Sequence, residues 1–387
     1  MSRKAAQNTQ LAHSLAKVQF YETFLNKYLR MLLSMSNIDE VNIYDVFCGR
    51  GVYENGTEGS SLRALSIVNS ILAEKKSAPH VTLYLNDIKR EHTESVRNCI
   101  NSKNEITACS IRFSNSDALE LMQSLVHQWR FSHNYKKRNI LLIDPYGYKA
   151  IDPKVLRSLV MDCHADVLLF LPVSFMYRFT EYSFHEDASN GAKPIRAFIE
   201  SFFPNEHPIH QAGLGVHQYI NYLTEAFSFG YQCYSASYHI ERNDHNYFSL
   251  FYMSQSLMGF EKVIEAKWEL DEQNGCGFKL PPKMRDLFEE QWKYERQKEM
   301  YHKLQILLIG LFTSACSRIT NATIYKFVLQ HEFLPRHAKL ILSEMQKSGC
   351  LECYKMDTGE QATKGSFYLN YRYYSKPCAV FAYRVAA

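Results

Sequence analysis

The chain has 387 residues, 46% hydrophobic and 22% charged, which suits two or three soluble globular domains that each bury a core. A net charge of +4 is mildly basic: it is compatible with a nucleic-acid partner and well short of a dedicated polycation. No apolar run reaches the roughly 18 residues of a membrane span, and the mostly polar residues 1 to 13 read as no leader, so a cytoplasmic protein is expected. The ten cysteines are scattered, as expected of reduced structural thiols, and the single C-x-x-C at Cys350 and Cys353 lacks the second pair of a zinc site, so no metal is expected.

Residues 14 to 35 have helical periodicity, with Leu15, Val18, Leu25, Tyr28, Leu29 and Leu32 near one face. Lys17 on this helix can reach a ligand at the sheet edge, although its type and position favour a solvated lysine. The first strand, 42 to 48, carries Asp45 and Phe47 and runs into Gly49, Gly51 and Tyr53. Its pattern, D-x-F-x-G-x-G-x-Y, is neither G-x-G-x-x-G nor a P-loop, but a strand feeding a glycine loop marks a ligand site in many open α/β sheets. A plain tight turn is the competing reading.

A helix from about Ser60 to Lys75 leads to a second strand, 80 to 87, that ends in Asp87. An acid there can accept hydrogen bonds from ribose hydroxyls or cap the next helix. Strand three, 107 to 115, is followed by Asp117, which suits an adenine amino group or an N-cap equally. Between 127 and 139, Arg130, Lys136, Lys137 and Arg138 interleave with Trp129, Phe131 and Tyr135, a mixture that suits nucleic acid as well as a solvated loop. Strand four, 139 to 144, is apolar in its middle and ends in Asp144, Pro145, Tyr146 and Gly147. Asp144 can orient a substrate amine or hydroxyl there, and Tyr146 can stack on a planar ring.

Strand five spans 165 to 174, and the turn-rich stretch after it, 175 to 194, reads as an insertion or lid. Helices follow at 194 to 204 and 213 to 228, then an antiparallel hairpin at 232 to 241 and 246 to 255. The expected organisation is a helical cover at 1 to 40, an α/β domain at 41 to 268, a linker helix at 269 to 300 and a last domain at 301 to 387. That last domain reads as three helices plus a hairpin over 351 to 371, a winged-helix-like α+β arrangement. Arg336 and Lys339 lie on its third helix, the one that enters a groove in such modules.

Parallel strands with an antiparallel terminal hairpin, a glycine loop after strand one and an acid after strand two resemble the Rossmann-like sheet of the class I S-adenosylmethionine-dependent methyltransferases. More narrowly, the helix around Lys17 and Tyr28, DVFCGRGVYENG with GSSLRAL, LLIDPYGY and YFSLFYMSQSLMGFEKV resemble the three-Cys-motif partner protein (TcmP) family. The resemblance implies S-adenosylmethionine as cofactor, with Asp45, Phe47, Gly49, Gly51 and Tyr53 lining its methionine part, Asp87 its ribose and Asp117 its adenine. It places Asp144, Pro145 and Tyr146 where amino-methyltransferases carry Asp-Pro-Pro-Tyr, a motif this chain departs from. The basic residues Arg130, Lys136, Lys137, Arg138, Arg336 and Lys339 suggest action on DNA or RNA, and the resemblance adds a companion, a three-Cys-motif protein resembling a radical S-adenosylmethionine enzyme. The alternative is a non-catalytic or nuclease-like nucleic-acid-binding scaffold built on a degenerate methyltransferase fold.

Overall fold

A computed structural model describes residues 12–53, 55–103, 107–131, 134–145, 147–183, 193–210, 213–243, 246–273, 275–279, 289–315 and 318–384. The chain divides into two compact units, residues 1–266 with 277–280, and residues 267–276 with 281–387.

The first unit opens with helix α1 (Ala12–Leu32) and then alternates strand and helix. The order is β1 (Glu40–Asp45), α2 (Ser60–Ala73), β2 (His80–Asn86), α3 (Arg90–Ser102), β3 (Ser110–Ser114), α4 (Ala118–Trp129), β4 (Lys137–Ile143), α5 (Pro153–Met161) and β5 (Asp166–Leu171). Three further helices follow, α6 (Val173–Ser183), α7 (Lys193–Phe202) and α8 (Val216–Ala226), then the hairpin β6 (Tyr234–Asn243) and β7 (Asn246–Ser254), helix α9 (Leu257–Leu270) and β8 (Gly277–Lys279).

The strands form one sheet in the order β3-β2-β1-β4-β5-β7-β6-β8. β1 to β5 run parallel, and β7 enters antiparallel between β5 and β6. This is the Rossmann-like sheet, parallel with an antiparallel terminal hairpin, expected from the sequence. Every residue of β5 is buried, as are the last five of β1 and of β4, because helices cover both faces of a parallel sheet and leave no solvated side to alternate with.

Three expectations for this unit are corrected. Residues 175 to 183, expected as the start of a turn-rich insertion, and 173 and 174, expected to end strand five, form the helix Val173–Ser183, with Met176 and Thr180 buried and the Thr180 hydroxyl bonded to the Met176 carbonyl and to Tyr219. The rest of that insertion, 184 to 192, lies outside the described residues. Gly277–Lys279, read as linker, instead pairs parallel with β6 and extends the sheet to eight strands. On α1, Leu15 is 41% exposed, whereas Val18, Leu25, Tyr28, Leu29 and Leu32 are buried as expected.

Beneath the sheet, Asp166 at the start of β5 is 2% exposed. It accepts hydrogen bonds from the Tyr28 hydroxyl at 2.6 Å, the Tyr252 hydroxyl at 3.2 Å and the Ser254 hydroxyl, fastening α1 to two strands.

The second unit contains α10 (Glu289–Ser314), β9 (Ile319–Thr320), α11 (Asn321–Gln330), α12 (Pro335–Lys347), β10 (Leu351–Lys355), α13 (Tyr371–Ser375) and β11 (Ala379–Tyr383). Of the expected hairpin over 351 to 371 only a short turn forms, closed by the antiparallel Tyr354–Gln361 bridge and the Lys355 amide on the Glu360 carbonyl at 2.9 Å. β10 pairs instead with β11, and β11 with β9. Asn321 explains the change: it is fully buried and spends its amide on the carbonyls of Tyr368 and Tyr373, and its oxygen on the amides of Cys378 and Ala379. Those four bonds fix the returning chain.

The second unit also takes in the end of α9 from Lys267 on, where the buried Lys267 (1% side-chain exposure) pairs with the half-buried Glu332 (33%) at 2.5 Å. Glu332→Ala strands the ammonium without its counter-charge and is expected to cost about 3–5 kcal/mol, read by chemical denaturation. A cost below about 1 kcal/mol would show that the pair is not a structural tie.

Candidate active site

β1 ends at Asp45, and the chain turns over the carboxyl edge of the sheet. The Val46 amide bonds the Leu142 carbonyl at 3.0 Å, and the Cys48 amide bonds the Asn86 carbonyl at 2.8 Å. Gly49 and Gly51 then adopt φ of +60° and +78°, a left-handed conformation that glycine enters without steric cost. The two glycines differ in surroundings. A Cβ on Gly51 would meet Val96 Cγ2 at 2.9 Å, whereas a Cβ on Gly49 would meet nothing within 4 Å. Gly51 is therefore required by packing, and Gly49 borders open space. Tyr53 follows in a small excursion closed by the Val52–Glu58 bridge. Phe47 is half-buried against the main core.

Four acids stand along this edge, Asp45, Asp87, Asp117 and Asp144, in different states. Asp45 is 2% exposed and accepts from the Ser60 hydroxyl at 2.6 Å, while its Oδ1 meets no donor at hydrogen-bond geometry. Burial pushes its carboxyl up to about 7, against the Ser60 bond, with the nearby Asp144 adding to the rise. Asp87 is 3% exposed, and its two oxygens accept from the Gly49 amide at 3.1 Å and the Lys89 amide at 2.9 Å. It thus braces the glycine loop and starts α3, combining the two roles anticipated for it. Asp117 is exposed and caps α4 by accepting from the amides of Leu119 and Glu120.

Asp144, just past β4, pairs with Lys17. The solvated-lysine reading of Lys17 is corrected: its side chain is 17% exposed, and its ammonium sits 4.7 Å from the centroid of the Phe170 ring. Burial works against the charged amine, but Asp144 first, then Tyr53 and Asp45, outweigh it and raise its pKa. Helix α1 is therefore part of the site. Sequence spacing gives no sign of this, because Lys17 and Asp144 are 127 residues apart. Pro145 is buried, and Tyr146 lies outside the described residues. The next aromatic, Tyr148, is buried with its hydroxyl on the Pro172 carbonyl at 2.6 Å, so it serves the fold.

The basic residues between α4 and β4 are not at this edge. Lys137 begins β4 and Asp144 follows its end, a separation of roughly 23 Å along an extended strand. Arg130 faces Asp162 at 3.5 Å, Lys136 faces Asp39 at 3.1 Å, Lys137 faces Glu40 at 3.0 Å, and Arg138 donates to the Tyr135 carbonyl at 3.0 Å. Each already answers a local acceptor. In the second unit Lys339 and Lys347 are exposed on α12, as is Arg336, whose Nε donates to His337 Nε2 at 3.3 Å. Among the described residues no group of three or more His, Cys, Asp or Glu side chains could hold a metal ion, and no helix is long and apolar enough to cross a membrane.

No family model matches the chain, and no curated protein matches it. Solved structures do. The O-methyltransferase TomG of Streptomyces achromogenes, involved in tomaymycin synthesis and solved with S-adenosylmethionine, is 13% identical over 60% of this chain and 79% of its own, with a TM-score of 0.32. An O-methyltransferase of Bacillus cereus in complex with S-adenosylhomocysteine is 13% identical over 65% and 86%, also at 0.32. The mycolic acid cyclopropane synthase CmaA1, solved with S-adenosylhomocysteine, is 14% identical over 66% and 86%, at 0.26. The strand order and the edge geometry of this chain carry the reading that follows.

Proposed function

We propose that the first unit is an S-adenosylmethionine-dependent methyltransferase. The observation that carries this reading is the convergence, on one carboxyl edge, of a glycine loop open at Gly49 with Asp45, Asp87 and the Lys17–Asp144 pair. The residues present fit the cofactor. Gly49 leaves room for a ligand beside the backbone, and Asp45, with one oxygen unpartnered, can accept from an ammonium. Asp87 Oδ1 serves the Lys89 amide and retains a lone pair for a ribose hydroxyl, while Oδ2 takes the Gly49 amide and lies 3.1 Å from His92 Nδ1. Asp117 reaches toward adenine only with what its capping role leaves over. When bound, the cofactor supplies a methyl group on a sulfonium. The chain's own work is to align an acceptor with that group and exclude water, with Asp144 orienting the acceptor.

The test is calorimetric titration with S-adenosylmethionine and its demethylated product. Micromolar binding is expected, lost in Gly49→Val, where a β-branched side chain at positive φ is strained and fills the open space. An unliganded wild type at saturating cofactor would leave the scaffold reading standing.

The second unit, with helices α10 to α13 and a three-stranded sheet, is in this proposal a winged-helix-like module that holds a nucleic acid. The exposed Arg336, Lys339 and Lys347 on α12 favour this over the paired basic residues before β4. Binding to duplex or single strands is expected to fall steeply with salt, and Lys339→Glu to weaken it while Lys136→Glu has a smaller effect. Equal effects of the two would argue against α12 as the contact. The resemblance to three-Cys-motif partners adds a companion protein.

A further inference from the structure

The Lys17–Asp144 pair bears on which atom receives the methyl group. This step rests on the methyltransferase reading above. An amine acceptor becomes cationic as its C–N bond forms, and a carboxylate with no other partner is what stabilises that charge. Asp144 is not in that state: its charge is answered by Lys17. The ammonium is held from the other side by the face of Phe170, itself stacked on Phe248 at 5.5 Å and 9°. With Asp144 at 29% and Lys17 at 17% side-chain exposure, the pair is recessed but reachable. An incoming cation would meet a like charge already in place, and an oxyanion would meet its complement.

We propose that the acceptor is an oxygen nucleophile, a hydroxyl or a carboxylate, and that the Lys17 ammonium is the group that faces its negative charge. In the transfer, an oxygen lone pair forms the new O–C bond. The C–S bond breaks, and its electron pair stays on sulfur, leaving a neutral thioether. A hydroxyl acceptor gives its proton to the Asp144 carboxylate, while a carboxylate acceptor has none to give. Lys17 keeps its protons throughout, in accord with the neighbours that favour its charged form. Its role is electrostatic, of the kind oxyanion-binding groups perform.

The test uses the full chain and methyl-labelled S-adenosylmethionine, with total RNA, total DNA and the small-molecule fraction of cells lacking the protein as acceptors. Label is expected in oxygen-linked methyl groups. Release as methanol in mild alkali identifies a carboxylate, and alkali-stable label a hydroxyl. Lys17→Met is expected to lower transfer by about 100-fold, the usual effect of removing one oxyanion-stabilising donor. Cofactor affinity by calorimetry should change clearly less than transfer, since the role proposed for Lys17 is exerted on the acceptor, while its charge also neighbours Asp45 and Tyr53. Lys17→Arg, which keeps the charge, should retain part of the activity and guards against a folding artefact. Label on nitrogen or carbon, no transfer with cofactor bound, or full transfer by Lys17→Met each overturns the inference while the cofactor site stands. Failure of the wild type to bind cofactor defeats the methyltransferase reading itself.

Discussion

Asp45→Asn is expected to make the protein more stable above neutral pH and, in the same stroke, to weaken cofactor binding by at least tenfold. Burial raises the Asp45 carboxyl from 3.8 to about 7. The folded state therefore keeps a proton that the unfolded chain has released. As pH climbs from 4 to 7, the folded state loses stability relative to the unfolded, and the loss levels off above the folded value. At about 1.4 kcal/mol per pH unit, the full effect is at most about 4 kcal/mol. Asparagine still accepts the Ser60 hydroxyl and carries no charge, so the stability gap between variant and wild type should grow from near zero at pH 4 to its full size at pH 8. Denaturation at both pH values reads the gap, and calorimetry reads the binding. A gap that does not change with pH would mean that Asp45 is not held as a buried acid. A stabilising change that removes function is the pattern expected where a charge is kept buried for a ligand.

The second large effect is structural and reaches the site through α1. Asp166→Ala removes the shared acceptor of the Tyr28, Tyr252 and Ser254 hydroxyls, all three buried. An unsatisfied buried donor costs about 1–3 kcal/mol, and relief from burying an acid offsets part of the sum, so a net loss of about 3–5 kcal/mol is expected. Burial raises the Asp166 carboxyl as well, against the bonds from Ser254 and Tyr28. Asp166→Asn retains a carbonyl acceptor and should lose clearly less. Because Tyr28 anchors the helix that carries Lys17, Asp166→Ala should also reduce methyl transfer at temperatures where the protein is still folded. A variant as stable as wild type would show that the hydroxyls find other partners.

How far the sequence reaches can be argued from these residues. It was sufficient for the strand before Gly49, the parallel strands ending at Asn86 and Ile143, and the β6–β7 hairpin. These depend on short-range signals: apolar runs, glycines that must turn, alternation across a tight turn. It also placed Asp45, Asp87 and Asp144 at one edge, because strand ends in a parallel sheet share a side. It left open which acid would be braced, paired or buried. Asp87 spends its oxygens on Gly49 and Lys89, Asp144 meets Lys17 across 127 residues, and Asp45 takes the Ser60 hydroxyl. The same limit separates the expected 351 to 371 hairpin from the observed pairing of β10 with β11, which Asn321 imposes from 57 residues away. The basic residues before β4 show it again: the sequence groups them into one patch, and each finds a separate local acceptor. Secondary structure and edge position follow from neighbouring residues in the chain. The charge state and partner of a side chain depend on what the fold brings within a few ångströms of it, and only the tertiary structure decides that.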